Sequence, residues 1–219
     1  MKSGFKEIFS FRNLPIFWKI ASLPILAVGL TMIGVFAYVL PLTKEKYMDD
    51  KKANASSMVG IAFTIISEYD RRVVLGELTL EQAQERAKAR ISSIRFGADE
   101  NGYIWINNLE GRMLMHPVYP ELNGENLLEF EDAHGKFFFR EMVELGKGRG
   151  EGYVEYVWPK SPGAEPSPKI SFVRLYRPWG WVIGSGIYVD DVMIMVWKIT
   201  IGIVALLAIV AAIMTAATF

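Results

Sequence analysis

The chain has no cysteine and only two histidines in 219 residues. Without cysteine there is no disulfide framework, no thiolate metal site and no c-type haem attachment. Two histidines, His116 and His134, are too few for most imidazole metal centres, and His134 sits in the turn-like stretch "EDAHGK". Net charge is also missing: 24 basic residues balance 24 acidic ones, so no bulk electrostatic bias toward nucleic acid exists. No glycine-rich phosphate loop with its lysine is present, and no nucleophile elbow. The glycines of "GSGIYV", Gly184 and Gly186, close a strand rather than open a helix. The acidic pairs Glu131-Asp132 and Asp190-Asp191 read as solvated turn and membrane-border residues. These absences point away from an enzyme, and no cofactor or metal is expected.

What is abundant is apolar sequence, 51% of the chain, with the excess at the two ends. Ile20–Leu40 and Ile199–Phe219 are each 21 residues without a charge, and about 20 apolar residues suffice to cross a bilayer. Pro24 falls in the first turns of the first run, where proline does least harm. The run is longer than a signal-peptide core, and no small-x-small cleavage site follows it. An uncleaved anchor is therefore expected.

Orientation follows from flanking charge. Residues 1–19 carry Lys2, Lys6, Arg12 and Lys19 against Glu7 alone, and residues 41–191 are net −4. Positive flanks stay in the cytoplasm. The reading is a cytoplasmic N-terminus (1–19), a first membrane helix (20–40), an extracytoplasmic domain (41–191) and a second membrane helix (192–219). On that reading the chain stops at or inside the second crossing, either a piece of a longer protein or a protein lacking its output half.

Within the outer segment, Met58, Ile61, Ile65 and Tyr69 recur at helical spacing, which predicts a long helix from Leu42. Its polar first half reads equally as a stalk that pairs with a second copy or as a solvated helix on its own domain. Thr79 and Gln82 form a capping-box pattern before the stripe Leu80, Ala83, Ala87, Ile91 and Ile94, with Gly97 just beyond. The period then drops to two. Strands are predicted at 102–108, 112–117, 153–159, 170–176 and 181–189, with a third helix from His134 to Leu145. "RPWG" suits a type I turn. The order specifies an α+β domain around one antiparallel sheet.

Ligand pockets combine apolar walls with a few placed polar groups. Alternation puts Tyr103, Trp105 and Asn107 on one face of the first strand and Arg112, Leu114 and His116 on one face of the second. In the third strand Tyr153, Glu155 and Val157 oppose Val154, Tyr156 and Trp158. Lys169 stands at the entry to the fourth. Hydroxyls, a histidine and a lysine among aromatics suit a small carboxylate, because charge-assisted hydrogen bonds are the strong ones. By pattern alone, any one of these aromatics reads as core rather than pocket wall, and Lys169 as a solvated loop lysine.

"GYIWINN", "MLMHPVYPELNGENL", "GEGYVEYVWPK" and "PWGWVIGSGIYVDDV" together resemble the successive blocks of the single Cache domain of type 2. This is the extracytoplasmic sensor module of many bacterial methyl-accepting chemotaxis proteins and some histidine kinases. The resemblance covers about residues 42–191 and includes the two flanking membrane helices. It implies a PAS-like five-stranded antiparallel sheet with long N-terminal helices, in a homodimeric two-pass protein of the bacterial inner membrane. It implies a periplasmic site for a short carboxylate such as acetate, propionate, lactate or pyruvate. Carried over by motif, the ligand residues are Arg95, Tyr103, Trp105, Met115, His116, Phe138, Tyr153, Tyr156 and Lys169. Lys169, His116 and tyrosine hydroxyls would hold the carboxylate; Trp105, Met115 and Phe138 would bound the alkyl end. Asn108 departs from the aspartate frequent in the family, which disfavours a ligand amine. The other partners expected are membrane lipid and, through the absent half, cytoplasmic signalling proteins; nucleic acid is not. The alternatives are a histidine-kinase sensor and a membrane-anchored dimerisation module.

Overall fold

A computed structural model describes residues 15–97 and 100–216. The basic leader up to residue 14, read as cytoplasmic, lies outside the described residues. Two compact units emerge. One comprises residues up to Lys46 together with Met193 onward, and the other is Tyr47–Val192.

The first unit is helical. Helix α1 (Ile16–Gly34) passes through a π-helical turn (Val35–Val39) into α2 (Leu40–Val74), and α5 (Val189–Ala216) supplies the return. Leu26, Leu30 and Ile33 are exposed on α1 and Phe36 on the π-helical turn, and Ile201, Leu206, Ile209 and Ile213 are exposed on α5. Apolar side chains exposed in such numbers suit lipid rather than water. Both stretches are long and apolar enough to cross a membrane.

The second unit is a five-stranded antiparallel sheet. Its strands are β1 (Ile104–Asn108), β2 (Met113–Met115), β3 (Glu151–Pro159), β4 (Pro166–Tyr176) and β5 (Trp181–Tyr188), in spatial order β2-β1-β5-β4-β3. The last strand thus lies at the centre, flanked by β1 and β4. Strand alternation sorts the side chains into two cores. Ile104, Ile106, Phe172, Trp181 and Ile183 face Val59, Ala62 and Ile66 of α2 and Ala87 and Ile91 of α3 (Leu80–Ser92). Tyr103, Trp105, Val154, Tyr156, Trp158 and Val182 face Phe138, Phe139 and Met142 of α4 (Phe138–Gly148). The capping box of α3 is formed in both directions: Gln82 N–H donates to Thr79 Oγ1 and Thr79 N–H to Gln82 Oε1.

Several expected boundaries move. Strand β2 is three residues long, because the register against β1 shifts between Ile106 and Asn107 and leaves Leu114 as an extra residue. The period of two is lost there. Leu114 and Met115 both pack on the helix side, so Arg112, Leu114 and His116 do not share a face. Helix α4 starts at Phe138, not His134. Asp132 Oδ1 accepts the backbone N–H groups of His134 and Lys136, and Gly135 has φ +77°, so these residues close a turn before the helix. Asp132 Oδ2 also accepts from Val157 N–H of β3, so this acid is a structural tie and not a free turn residue. "RPWG" forms a 3₁₀ turn (Arg177–Trp179) that ends on left-handed Gly180, φ +63°. Strand β4 begins at Pro166, which places Lys169 inside the sheet instead of at its mouth.

Candidate functional site

Lys169 is the unusual residue of the sheet. It pairs in register with Tyr156 on β3 and Tyr188 on β5, and only 2% of it is exposed. Its stem passes over Gly186, where an added Cβ would lie 3.0 Å from Lys169 Cε and would overlap Ser171 Oγ. The glycine therefore makes room for the lysine chain. A similar gap at Gly184 admits the indole of Trp105.

The ammonium donates to Tyr103 Oη at 2.7 Å. It lies 4.2 Å from the Tyr103 ring centre, 4.8 Å from that of Tyr188 and 5.5 Å from that of Trp105. These ring faces supply cation–π attraction. No carboxylate forms an ion pair with it among the described residues. Burial without a counter-charge disfavours the ammonium and pushes its pKa down to about 7. One hydrogen bond is made; two N–H donors remain.

The surroundings are also rich in donors. His116, 3% exposed, uses Nδ1 to accept the N–H groups of Tyr119 at 3.0 Å and Val118 at 3.3 Å. A neutral ring with Nδ1 accepting carries its proton on Nε2. Burial, then the positive charges of Lys169 and Arg95, lower its pKa to about 3, so it stays neutral. Its ring lies 5.0 Å from Tyr103 and stacks near Trp105 at 6.5 Å. The indole N–H groups of Trp105 and Trp158 are buried, and neither completes a hydrogen bond among the described residues. Burial raises the pKa of Tyr103, Tyr156 and Tyr188, so all three remain hydroxyls. Tyr156 Oη and Ser171 Oγ share a bond of 2.9 Å. Tyr188 and Tyr119 both donate to the carbonyl of Pro159, at 2.9 and 3.1 Å. Phe138 closes the α4 side, stacked on Tyr156 at 4.2 Å with ring planes 4° apart.

Tyr103, Trp105, His116, Phe138, Tyr156 and Lys169 are therefore brought together on the α4 face. Three expected residues are not. Tyr153 is 41% exposed on the opposite face, against Phe172, with its hydroxyl on the Lys52 carbonyl. Alternation along β3 requires this once Tyr156 points inward. Met115 joins the α2–α3 core because of the β2 register shift. Arg95 is exposed and spends its guanidinium on the carbonyls of Ser92 and Ile94, reaching the cluster only through its charge on His116. Conversely, Trp158, Tyr119 and Tyr188 belong to the cluster. Alternation from Tyr156 gives Trp158; Tyr188 needs the β4–β5 register, and Tyr119 lies in irregular chain without a period. A depression of about 400 Å³ beside α3 is lined by residues including Lys88, Ser92, Asn123, Met115 and His116, so it borders the cluster through His116. Its lysine is already paired with Glu85 at 2.7 Å. We place the site at Lys169 because that cation has no counter-ion among the described residues.

An antiparallel PAS-like sheet with helices on both faces and a buried cluster of hydrogen-bond donors in one core defines a sensor-type module. The chain belongs to the family Single Cache domain 2, which it matches over residues 47–202. It is 37% identical over 171 residues to methyl-accepting chemotaxis protein McpP of Pseudomonas putida, covering 77% of this chain. It is 30% identical over 150 residues to sensor histidine kinase MctS of Rhizobium johnstonii, covering 68% of this chain. In each case the match spans 31% of the relative's length. Among solved structures, one described as "Structural basis for carboxylic acid recognition by a Cache chemosensory domain" superposes with a TM-score of 0.63 at 40% identity, covering 67% of this chain and 98% of that one. A "Periplasmic sensor domain of chemotaxis protein" gives a TM-score of 0.63 at 39% identity, covering 65% and 98%. This is a chemoreceptor-type Cache sensor domain, in a family of sensors rather than enzymes.

Proposed function

We propose that the chain is the sensing half of a two-pass chemoreceptor that binds a short monocarboxylate outside the cytoplasmic membrane and signals its presence inward. The observation that carries this is the fully buried Lys169 ammonium without a counter-ion. A carboxylate would supply the missing charge and accept from Lys169, His116 Nε2 and the indole N–H groups. Charge-assisted bonds in so dry a place are strong. The aromatic walls of Phe138, Tyr156 and Trp158 suit a short alkyl end. Among the described residues, the cluster offers no acidic group to an amino acid's ammonium. The carboxylic-acid recognition described for the structural relative is consistent with the same chemistry.

For signalling, we infer that β5 is the moving part. It carries Tyr188 beside Lys169 and runs directly into α5 at Val189. A ligand shifts such an equilibrium only by binding its two states unequally. The topology proposed is residues 1–19 inside, 20–40 and 192–219 crossing the lipid, and 41–191 in the periplasm, working as a homodimer. The kinase relative leaves a histidine-kinase output as the second reading.

Calorimetric titration of the full chain in lipid nanodiscs with acetate, propionate, lactate and pyruvate tests the proposal. Saturable binding that disappears in Lys169→Met is expected. Absence of binding by any of the four would instead favour a membrane-anchored dimerisation module.

A further inference from the structure

We propose that ligand capture at this site takes up one proton at Lys169, so that the sensor loses affinity as its surroundings become alkaline. This rests on the carboxylate reading above and adds a second input to it.

The geometry is the basis. Among the described residues, every group shown facing the Lys169 nitrogen is neutral. Tyr103 and Trp105 face it from β1 and its approach, Tyr188 from β5 and Tyr156 from β3, and His116 and Tyr119 close the side after β2. Ser171 neighbours it on its own strand and is bonded to Tyr156. Among the described residues, formal charges act on members of this ring from outside it, Glu121 on Tyr119 among them. Arg95 acts on His116, and Asp191 acts on Tyr188 while itself held by Lys160 at 2.6 Å. A lysine in such a shell has nothing to hold its proton once the pH rises, because burial favours the uncharged amine. An arriving carboxylate reverses this, since an opposite charge in contact favours the ammonium.

The step balances simply. The free amine, one proton from solvent and the carboxylate anion give the ammonium–carboxylate pair. Bonds form only between that proton and the lysine nitrogen and between the ammonium and the ligand oxygens. Other groups of the cluster do not titrate in the relevant window. His116 loses its proton near pH 3, and the three buried tyrosines ionise only above their ordinary range. Short carboxylic acids are themselves ionised throughout, their acidity being close to that of a glutamate side chain, about 4.3.

The experiment is acetate titration calorimetry on the full chain in nanodiscs at pH 6 to 9, run in phosphate and in Tris. Below pH 7 we expect an almost constant Kd and little dependence of the heat on buffer. Above it, Kd should weaken toward tenfold per pH unit, with close to one proton taken up per acetate at pH 8.5. Lys169→Arg, whose guanidinium does not titrate here, should flatten the profile. If that variant does not fold, the ¹³Cε lysine resonance that acetate shifts gives the same information in the unaltered chain, titrating near neutrality alone and above pH 9 with acetate. Binding at pH 6.5 with the same Kd at pH 9 and no buffer dependence overturns the proton linkage and leaves the carboxylate reading standing. No binding of acetate or propionate even at pH 6.5 overturns both.

Discussion

Lys169 is stabilised in place by very little. It gives one hydrogen bond and three ring contacts in exchange for the hydration of an ammonium. Buried charges without a partner are costly. Lys169→Met keeps a similar length and removes that cost. We expect the variant to melt higher than the parent, on the order of 3 °C if about 1 kcal/mol is regained, while losing carboxylate binding; differential scanning calorimetry with and without acetate reads both. The pH dependence follows from linkage. The folded-state pKa, about 7, lies below the value near 10.4 of an unfolded lysine. The unfolded chain therefore holds more protons between pH 7 and about 10, and stability rises with pH across that window. The melting gap between variant and parent should narrow from pH 6.5 to 9. Gly186→Ala tests the space needed by the stem. Its Cβ would overlap Ser171 Oγ and lie 2.9 Å from the Ile170 carbonyl, which backbone cannot yield cheaply. Overpacking of this kind costs about 1–3 kcal/mol, read by chemical denaturation.

Between elements, two aspartates do work that hydrophobic contacts alone would not specify. Asp70 of α2 accepts from Tyr176 Oη at 2.7 Å and Trp179 Nε1 at 2.8 Å, binding the long helix to the turn that starts β5. Asp70→Ala leaves both donors unpaired, at about 1–3 kcal/mol. Amide exchange should then quicken first at Trp181–Ile183. Asp132 ties the turn before α4 to β3. Burial raises its pKa, but three backbone N–H bonds outweigh that and hold it below the ordinary carboxyl value. Its contribution is therefore full above pH 4 and is lost as pH falls through the lowered value. Asp132→Ala should remove about 1 kcal/mol at pH 7 and less as pH falls through the lowered value. Because the turn carries α4 and hence Phe138, carboxylate affinity in this variant should fall as well.

At the scale of the whole chain, the sheet domain is bracketed by two helices of lipid-compatible surface. The proposed topology is open to a direct test, helped by the absence of cysteine. A single thiol from Glu165→Cys, in the exposed β3–β4 loop, should react with a membrane-impermeant maleimide added to intact spheroplasts. Labelling only after lysis would reverse the orientation. A dimer would appear as a disulfide when Ile61, exposed on α2, is replaced by cysteine and oxidised.

Composition and local pattern determined much of this protein. The two uncharged runs, the capping box at Thr79 and the alternation of Tyr103 and Trp105 against Ile104 and Ile106 are legible because each depends on neighbours within one turn or one pleat. The family blocks carried Lys169, His116, Tyr156 and Phe138 toward a common site. Tertiary structure alone decided which of the nine expected residues meet. Met115 was displaced by one extra residue in β2, a fact of register between two strands. Tyr188 entered because β5 inserts between β1 and β4, an arrangement of segments far apart in sequence. Lys169 changed most: its position beside a proline-rich loop read as a solvated lysine by pattern, and the pairing of β4 with both β3 and β5 enclosed it. A side chain's charge is written in the sequence; whether that charge has a partner depends on everything that folds around it.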